Sequence, residues 1–370
     1  MMRPPLLACL LAALSGSVYA QAPTIEDLRP EGMQFPDNLG MEELPIGIAP
    51  TPPAPAPGQD ALAISNEVLG PRAKVDAAYG AFQRGFYLTA LELALPRAEQ
   101  SDAAAQTLIG EIYSKGLGVP ENQTSASSWY ALAAKNGDPI ATFELGLMYQ
   151  NGRGVPKSRE KAAQLFQQAA DMGNAPAKYN LGLLHIEGRY AAPDTAKAAD
   201  LIRQAAEAGI VEAQYDYGGM LMEGAGVPPN AELGAEQIGL AAKEGLVAAQ
   251  VDYATLLYLG NGVPKNLPEA VSWYSRAAQS GNAVAQNRYA KLLAVGEGVE
   301  PDLEQAAMWR ALARRQGLSD PVLDRLLVSI QPAELQRAEE RARFWPSEPP
   351  TAVAANTTTP ALMPPEPATP

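Results

Sequence analysis

Glycine recurs at Gly137, Gly173, Gly209, Gly245, Gly281 and Gly317, a step of 36 residues held without insertion or deletion. A fixed period of this length means that one supersecondary unit is copied along the chain. Each copy then buries its apolar face against its neighbours instead of in one shared globular core. Two further columns keep the same step: Gly116, Gly152, Gly188, Gly224, Gly260 and Gly296, and Asn122, Ser158, Asp194, Asn230, Asn266 and Asp302. Glycine just past a helical stretch adopts φ > 0 without a Cβ clash and closes the helix. Asn, Ser or Asp ahead of a helix offers a side-chain acceptor to its free amides. Each unit therefore reads as helix, Gly-rich loop, capped helix and glycine stop. Between the caps, Ala141, Leu145, Met148 and Tyr149 share one helical face.

The strings Leu145-Gly146, Tyr149, Gly152-Arg153-Gly154-Val155, Lys161-Ala162, Ala169-Ala170 and Gly173 resemble the Sel1-like repeat, a relative of the tetratricopeptide repeat. Ala270-Val271-Ser272-Trp273-Tyr274-Ser275-Arg276-Ala277-Ala278 is similar to the second-helix signature of that family. The resemblance covers residues 102–317 as six repeats. It implies an all-α, right-handed α-solenoid of 36-residue helix-turn-helix units with N- and C-terminal capping helices. The chain departs from the pattern at Tyr190, where the second loop glycine is missing, and at Gly234, which replaces a small Ala. Ala254 and Ala290 stand where the first helix usually has Gly. All but Tyr190 are small-for-small exchanges, so a local change is expected in the Tyr190 loop and the stack is expected to persist.

Flanking segments differ in kind. Residues 1–20 carry Arg3, the apolar run Leu6 to Leu14, and Val18-Tyr19-Ala20 before Gln21, the layout of a cleavable signal peptide cut after Ala20. The apolar run is too short for a membrane anchor, which needs about 20 residues. The expected location is periplasmic or secreted, with no transmembrane segment after cleavage. Cys9, the single cysteine, falls inside that leader, so the mature chain forms no internal disulfide. Residues 21–72 hold Pro45, Pro50, Pro52, Pro53, Pro55 and Pro57 and read as a disordered linker. Residues 73–101 read as a capping helix pair turned at Gly85, with Ala77, Ala81 and Phe82 facing Tyr87, Ala90, Leu91 and Ala94. Residues 318–345 read as two closing helices, Pro321 to Ile330 and Pro332 to Trp345. The Pro/Thr/Ala-rich stretch 346–370 reads as a disordered tail.

The residue inventory disfavours several chemistries. A net charge of −13 argues against nucleic acid, which needs clustered Lys and Arg. His185 is the sole histidine and occupies a packing position equivalent to Tyr113, Tyr149, Leu221, Leu257 and Leu293. One histidine and no mature cysteine make a poor zinc site and a poor Ser/His/Asp set. Ser158-Arg159-Glu160-Lys161 matches the S-x-x-K pattern of serine acyltransferases, but Ser158 belongs to the N-cap column. No catalytic residue, cofactor or metal is assigned.

Partner choice is expected on the first helix of each unit, which lines the concave face in the related tetratricopeptide fold. One row reads Thr107, Phe143, Tyr179, Tyr215, Val251, Asn287. The next reads Leu108, Glu144, Asn180, Asp216, Asp252, Arg288, and a third reads Ser114, Gln150, Ile186, Met222, Tyr258, Ala294. The candidate groove is therefore Phe143, Glu144, Tyr179, Asn180, Tyr215, Asp216, Asp252 and Tyr258. Aromatic anchors beside fixed polar groups suit protein recognition, and the carboxylates suit a basic or amphipathic segment of an envelope protein. The resemblance implies a non-catalytic periplasmic scaffold or regulator in envelope or exopolysaccharide assembly. A glycan-binding module, with the tyrosines stacked on sugar rings, is the alternative.

Overall fold

The computed structural model describes residues 76–347. The expected signal peptide, the linker and nearly all of the tail lie outside the described residues. Those residues form sixteen α-helices, one 3-10 turn and no strand. They divide into two compact units between Ala177 and Lys178.

In the first unit α1 (Ala77–Gln83) and α2 (Tyr87–Glu99) precede α3 (Ala103–Lys115), α4 (Gln123–Lys135), α5 (Pro139–Asn151) and α6 (Arg159–Asp171). Helix α3 packs on α4, α4 on α5 and α5 on α6. After α7 (Ala175–Glu187), the second unit continues with α8 (Thr195–Glu207), α9 (Val211–Glu223), α10 (Ala231–Lys243), α11 (Val247–Leu259), α12 (Leu267–Gln279), α13 (Ala283–Val295) and α14 (Leu303–Arg315). There too α9 packs on α10, α10 on α11, α11 on α12, α12 on α13 and α13 on α14. The described residues end with α15 (Pro321–Leu326), a 3-10 turn at Leu327–Ser329, and α16 (Pro332–Phe344), which packs on α14.

The caps explain where these helices begin and end. Asn122, Ser158, Asp194, Asn230, Asn266 and Asp302 are all extended N-caps whose side chains accept from an amide three residues on. Ser158 Oγ is thus occupied by the Lys161 amide at 3.2 Å, which is a capping role. At the other end of α4, the amides of Gly137 and Asp138 donate to the carbonyls of Ala134 and Ala133. With Gly137 at φ 86°, this is a Schellman motif. Gly154 has a second reason to be glycine: a Cβ there would lie 2.0 Å from the carbonyl oxygen of Gln123. The same close approach recurs at Gly226 against Thr195 and at Gly262 against Ala231. At Tyr190 the left-handed second position is absent, because Gly188 alone of that loop's pair has positive φ. The Tyr190 ring instead lies under the Arg189 guanidinium at 5.6 Å.

The core is made by small residues meeting large ones. Cβ atoms at Gly110 and Gly146 would lie 2.8 and 2.7 Å from the rings of Tyr130 and Phe166. At Gly182 and Gly218 they would lie 2.7 and 2.6 Å from Ile202 and Ile238. Ala254 and Ala290 fill the equivalent positions fully buried, as small-for-small exchanges should. Gly234 is more constrained than such an exchange, since a Cβ would meet Gly218 O and Met222 Sδ at 2.9 Å.

The capping helices differ from expectation in detail. Ala78, not Ala77, is buried with Ala81 against Ala90, Leu91 and Ala94; the Asp76 N-cap starts the helix at Ala77, later than residue 73, and positions 78 and 81, three apart, share its inner face. The first closing helix stops at Leu326, and extended Ile330 and Gln331 lead into Pro332, whose ring disfavours helix in the residue before it.

Candidate functional site

Successive first helices of the second unit place side chains 36 residues apart side by side. A contact between neighbouring columns then joins residues 37 apart. Tyr179 Oη donates to Asp216 Oδ2 at 2.8 Å, and Tyr215 Oη donates to Asp252 Oδ2 at 2.7 Å. These four predicted groove residues are thus brought together as a ladder running from one repeat to the next. All four are half-buried. Tyr258, on the third row, donates to Glu297 Oε2 at 2.9 Å, in the loop that follows the next first helix. Lys265 Nζ stands 5.4 Å from the centre of the Tyr258 ring. Asn180 is half-buried on α7.

Burial dominates the titration of this face. It pushes the Asp216 carboxyl up, and the nearby charge of Glu212 adds to the effect, while the Tyr179 hydroxyl opposes it. Burial and the Asp216 charge push the Tyr179 hydroxyl well above the usual phenol value. Beyond Asp252 the ladder changes character. Val251 replaces the tyrosine, and Arg288 takes the acid's place, donating to Thr255 Oγ1 and to Tyr274 Oη. Asn287 donates to Asp320 Oδ2 at 2.6 Å, where Lys291 Nζ also lies 2.6 Å away.

In the first unit the equivalent positions serve packing more than exposure. Phe143 is only 9% exposed, its ring 5.6 Å from that of Phe166, so it offers little edge to a ligand. Glu144 is half-buried, and burial pushes its carboxyl up against the opposing pull of Arg153. His185 is 6% exposed, with Nδ1 2.8 Å from Ala192 O; it ties the end of the atypical loop, two residues before the Asp194 N-cap, back to α7.

Two columns escaped the sequence reading. Glu111, Leu147, Leu183, Gly219, Thr255 and Lys291 lie one helical turn past the first two rows on their own helices, and all are half-buried. The i+4 step from the first row would have found them. Gln106, Gln250 and Gln286 are buried, and each donates Nε2 to the carbonyl eight residues back, at Ala98, Ala242 and Ala278. Gln214 does the same to Ala206 at 3.5 Å. Thr142 and Lys178 interrupt that column, which hides it from a simple search for identity at one period.

Stacked capped helix pairs with an open first-helix face define an α-solenoid repeat protein. Six successive matches to the model of the Sel1 repeat cover residues 103–138, 139–174, 175–210, 211–245, 247–282 and 283–318, more than half of the chain, which therefore belongs to the Sel1 repeat family. Among solved structures it is similar to a Sel1 repeat protein from Oxalobacter formigenes, at 30% identity over 65% of this chain and 98% of that one, with a TM-score of 0.56. It is also similar to a protective antigen present in uropathogenic Escherichia coli strains displaying an SLR fold, at 26% identity and a TM-score of 0.48. That match covers 68% of this chain and 62% of that one. No curated protein matches. Sel1 repeat proteins typically mediate protein–protein interaction as scaffolds, and the family is generally non-catalytic.

Proposed function

We propose that this chain is a non-catalytic scaffold or regulator of the bacterial envelope that holds a segment of a protein partner on the first-helix face of residues 178–260. The observation that carries this reading is the Tyr179–Asp216 and Tyr215–Asp252 ladder. It fixes two half-buried rings beside oriented carboxylates on an otherwise open face, the mixture of apolar anchor and polar group that protein recognition uses. Glu212, Asp216, Glu223 and Asp252 form no ion pair with lysine or arginine among the described residues. A basic or amphipathic segment is therefore the complementary partner. The ladder favours a cationic protein segment over a glycan, because the Tyr179 and Tyr215 hydroxyl protons are committed to Asp216 and Asp252, while each carboxylate keeps acceptor capacity for a positively charged donor.

Crosslinking mass spectrometry in the native envelope tests the reading. Wild type is compared with Tyr179→Ala/Tyr215→Ala and with the exposed charge reversal Glu212→Lys/Glu223→Lys. A protein crosslinked within residues 178–260 and lost in both variants is expected; partners retained by both folded variants overturn the proposal.

The periplasmic location rests on the leader sequence. Purified from the envelope, the mature chain should begin at Gln21, and a chain that keeps Met1 or Met2 in the cytoplasm would overturn that part.

A further inference from the structure

Glycine inside a helix costs about 1 kcal/mol relative to alanine, and the helix-interior glycines Gly110, Gly146, Gly182 and Gly218 each repay it by admitting a large side chain from the second helix. Gly219 does not. It sits in the middle of α9 beside Gly218, and a Cβ built on it meets nothing within 4 Å. At the same place in the other units the chain carries Glu111, Leu147, Leu183, Thr255 and Lys291. In this one unit the helix gives up a side chain on its open face with no internal contact to account for it.

What surrounds the bare spot is specific. On α9, Tyr215 and Asp216 lie one turn before Gly219 and Glu223 lies one turn after, so all four share a face. Leu183 and Thr255 hold the equivalent positions on α7 and α11. The notch thus has an aromatic wall and carboxylates at both ends. Asp216 is half-buried, accepts only the Tyr179 hydroxyl, and pairs with no cation among the described residues. Burial and the charge of Glu212 both act against its ionised form, a cost that an incoming cation would offset.

Resting on the groove reading above, we propose that the Gly219 notch is the specificity subsite of the groove and receives one lysine or arginine side chain of an extended partner segment. The apolar stem lies on the uncovered α9 backbone beside the Tyr215 ring, and the charged head reaches Asp216 or Glu223. Long cationic side chains lie in this way, with stem on apolar surface and head on an acceptor.

A displayed library of random dodecapeptides, selected on the mature protein, tests this with Gly219→Leu and Tyr215→Ala as comparison proteins. Leucine stands at the equivalent Leu147 and Leu183, so the fold accepts it, and Gly219→Leu should melt no lower than wild type. Expected are peptides enriched in a lysine or arginine at one fixed position, whose affinity falls at least about tenfold in Gly219→Leu, 1.4 kcal/mol or more. Peptides that bind but lack that preference, or that ignore Gly219→Leu while weakening in Tyr215→Ala, overturn the subsite and leave the groove standing. Selection of no peptide, or of peptides insensitive to both changes, overturns both.

Discussion

The Tyr215 hydroxyl donates to Asp252 Oδ2 at 2.7 Å, while Asp216, the next residue along the chain, accepts from Tyr179 at 2.8 Å. One helix thus gives a donor forward and an acceptor backward, and the bonds couple three first helices in the second unit. Such hydrogen bonds contribute about 1 kcal/mol each, more when one partner is ionised. Tyr215→Phe should therefore lower stability by about 1 to 2 kcal/mol. A double-mutant cycle with Asp252→Ala, which leaves no side-chain acceptor, read by urea denaturation, should show a coupling of at least about 0.5 kcal/mol; additive effects would mean that the contact does not form in solution.

Gly154→Ala and Gly209→Ala separate two reasons for glycine. At Gly209 a Cβ meets nothing within 4 Å, so the penalty is that of a left-handed backbone at φ 87°, about 1 to 2 kcal/mol. At Gly154 the same methyl would lie 2.0 Å from Gln123 O, and the loop must also move. The second variant should melt clearly lower than the first. Equal melting temperatures would show that the loop and α4 do not approach as closely as described.

A stabilising change is available at Glu244. Gln106 Oε1 accepts from Asn136 at 2.8 Å, and Gln286 Oε1 accepts from Gln316 at 3.0 Å, in each case from a residue thirty positions on. The position thirty after Gln214 is Glu244, which has no amide to give, and Gln214 Oε1 is buried without a partner. Glu244→Gln should raise stability by about 1 kcal/mol. A fall, or no change, in the chemical denaturation midpoint would count against the glutamine column as a source of order.

Asp320 predicts an acid response. Burial raises its carboxyl, but Lys291, Asn287 and the Leu323 amide outweigh this and hold it at about 2. A carboxyl depressed in the folded state contributes stability that is complete above its unfolded value of about 4 and disappears as pH falls through about 2. Asp320→Asn should flatten the fall in melting temperature between pH 4 and pH 2 while lowering it at neutral pH. An unchanged acid limb would assign that limb to other carboxylates.

How much of this was legible in the sequence depends on whether a contact stays within one column of the repeat. Caps and glycine turns do, because Asn122 or Gly137 acts on backbone a few residues away, and the same chemistry is rewritten every 36 residues. Tyr179 and Asp216 stood on the candidate rows, but their bond joins two columns at an offset of 37, which a search along either column cannot reveal. Phe143 looked like the start of an aromatic ladder because it shares a column with Tyr179. Its lack of a hydroxyl leaves the ring free to settle on Phe166, and there it is buried. The glutamine column went unread for another reason: its partner is a backbone carbonyl, present in every unit and invisible in the letters.

The one-repeat-plus-one offset of the tyrosine–carboxylate bond bears on how such a chain changes its length. Excision of residues 180–215 would join Tyr179 directly to Asp216 and present Asp252 at the same spacing of 37. The hydroxyl would find a carboxylate without any compensating substitution. Recombination within residues 179–216 can therefore shorten the array while the new junction inherits a working contact, so the span of the groove can change there while the chemistry of the rung stays fixed.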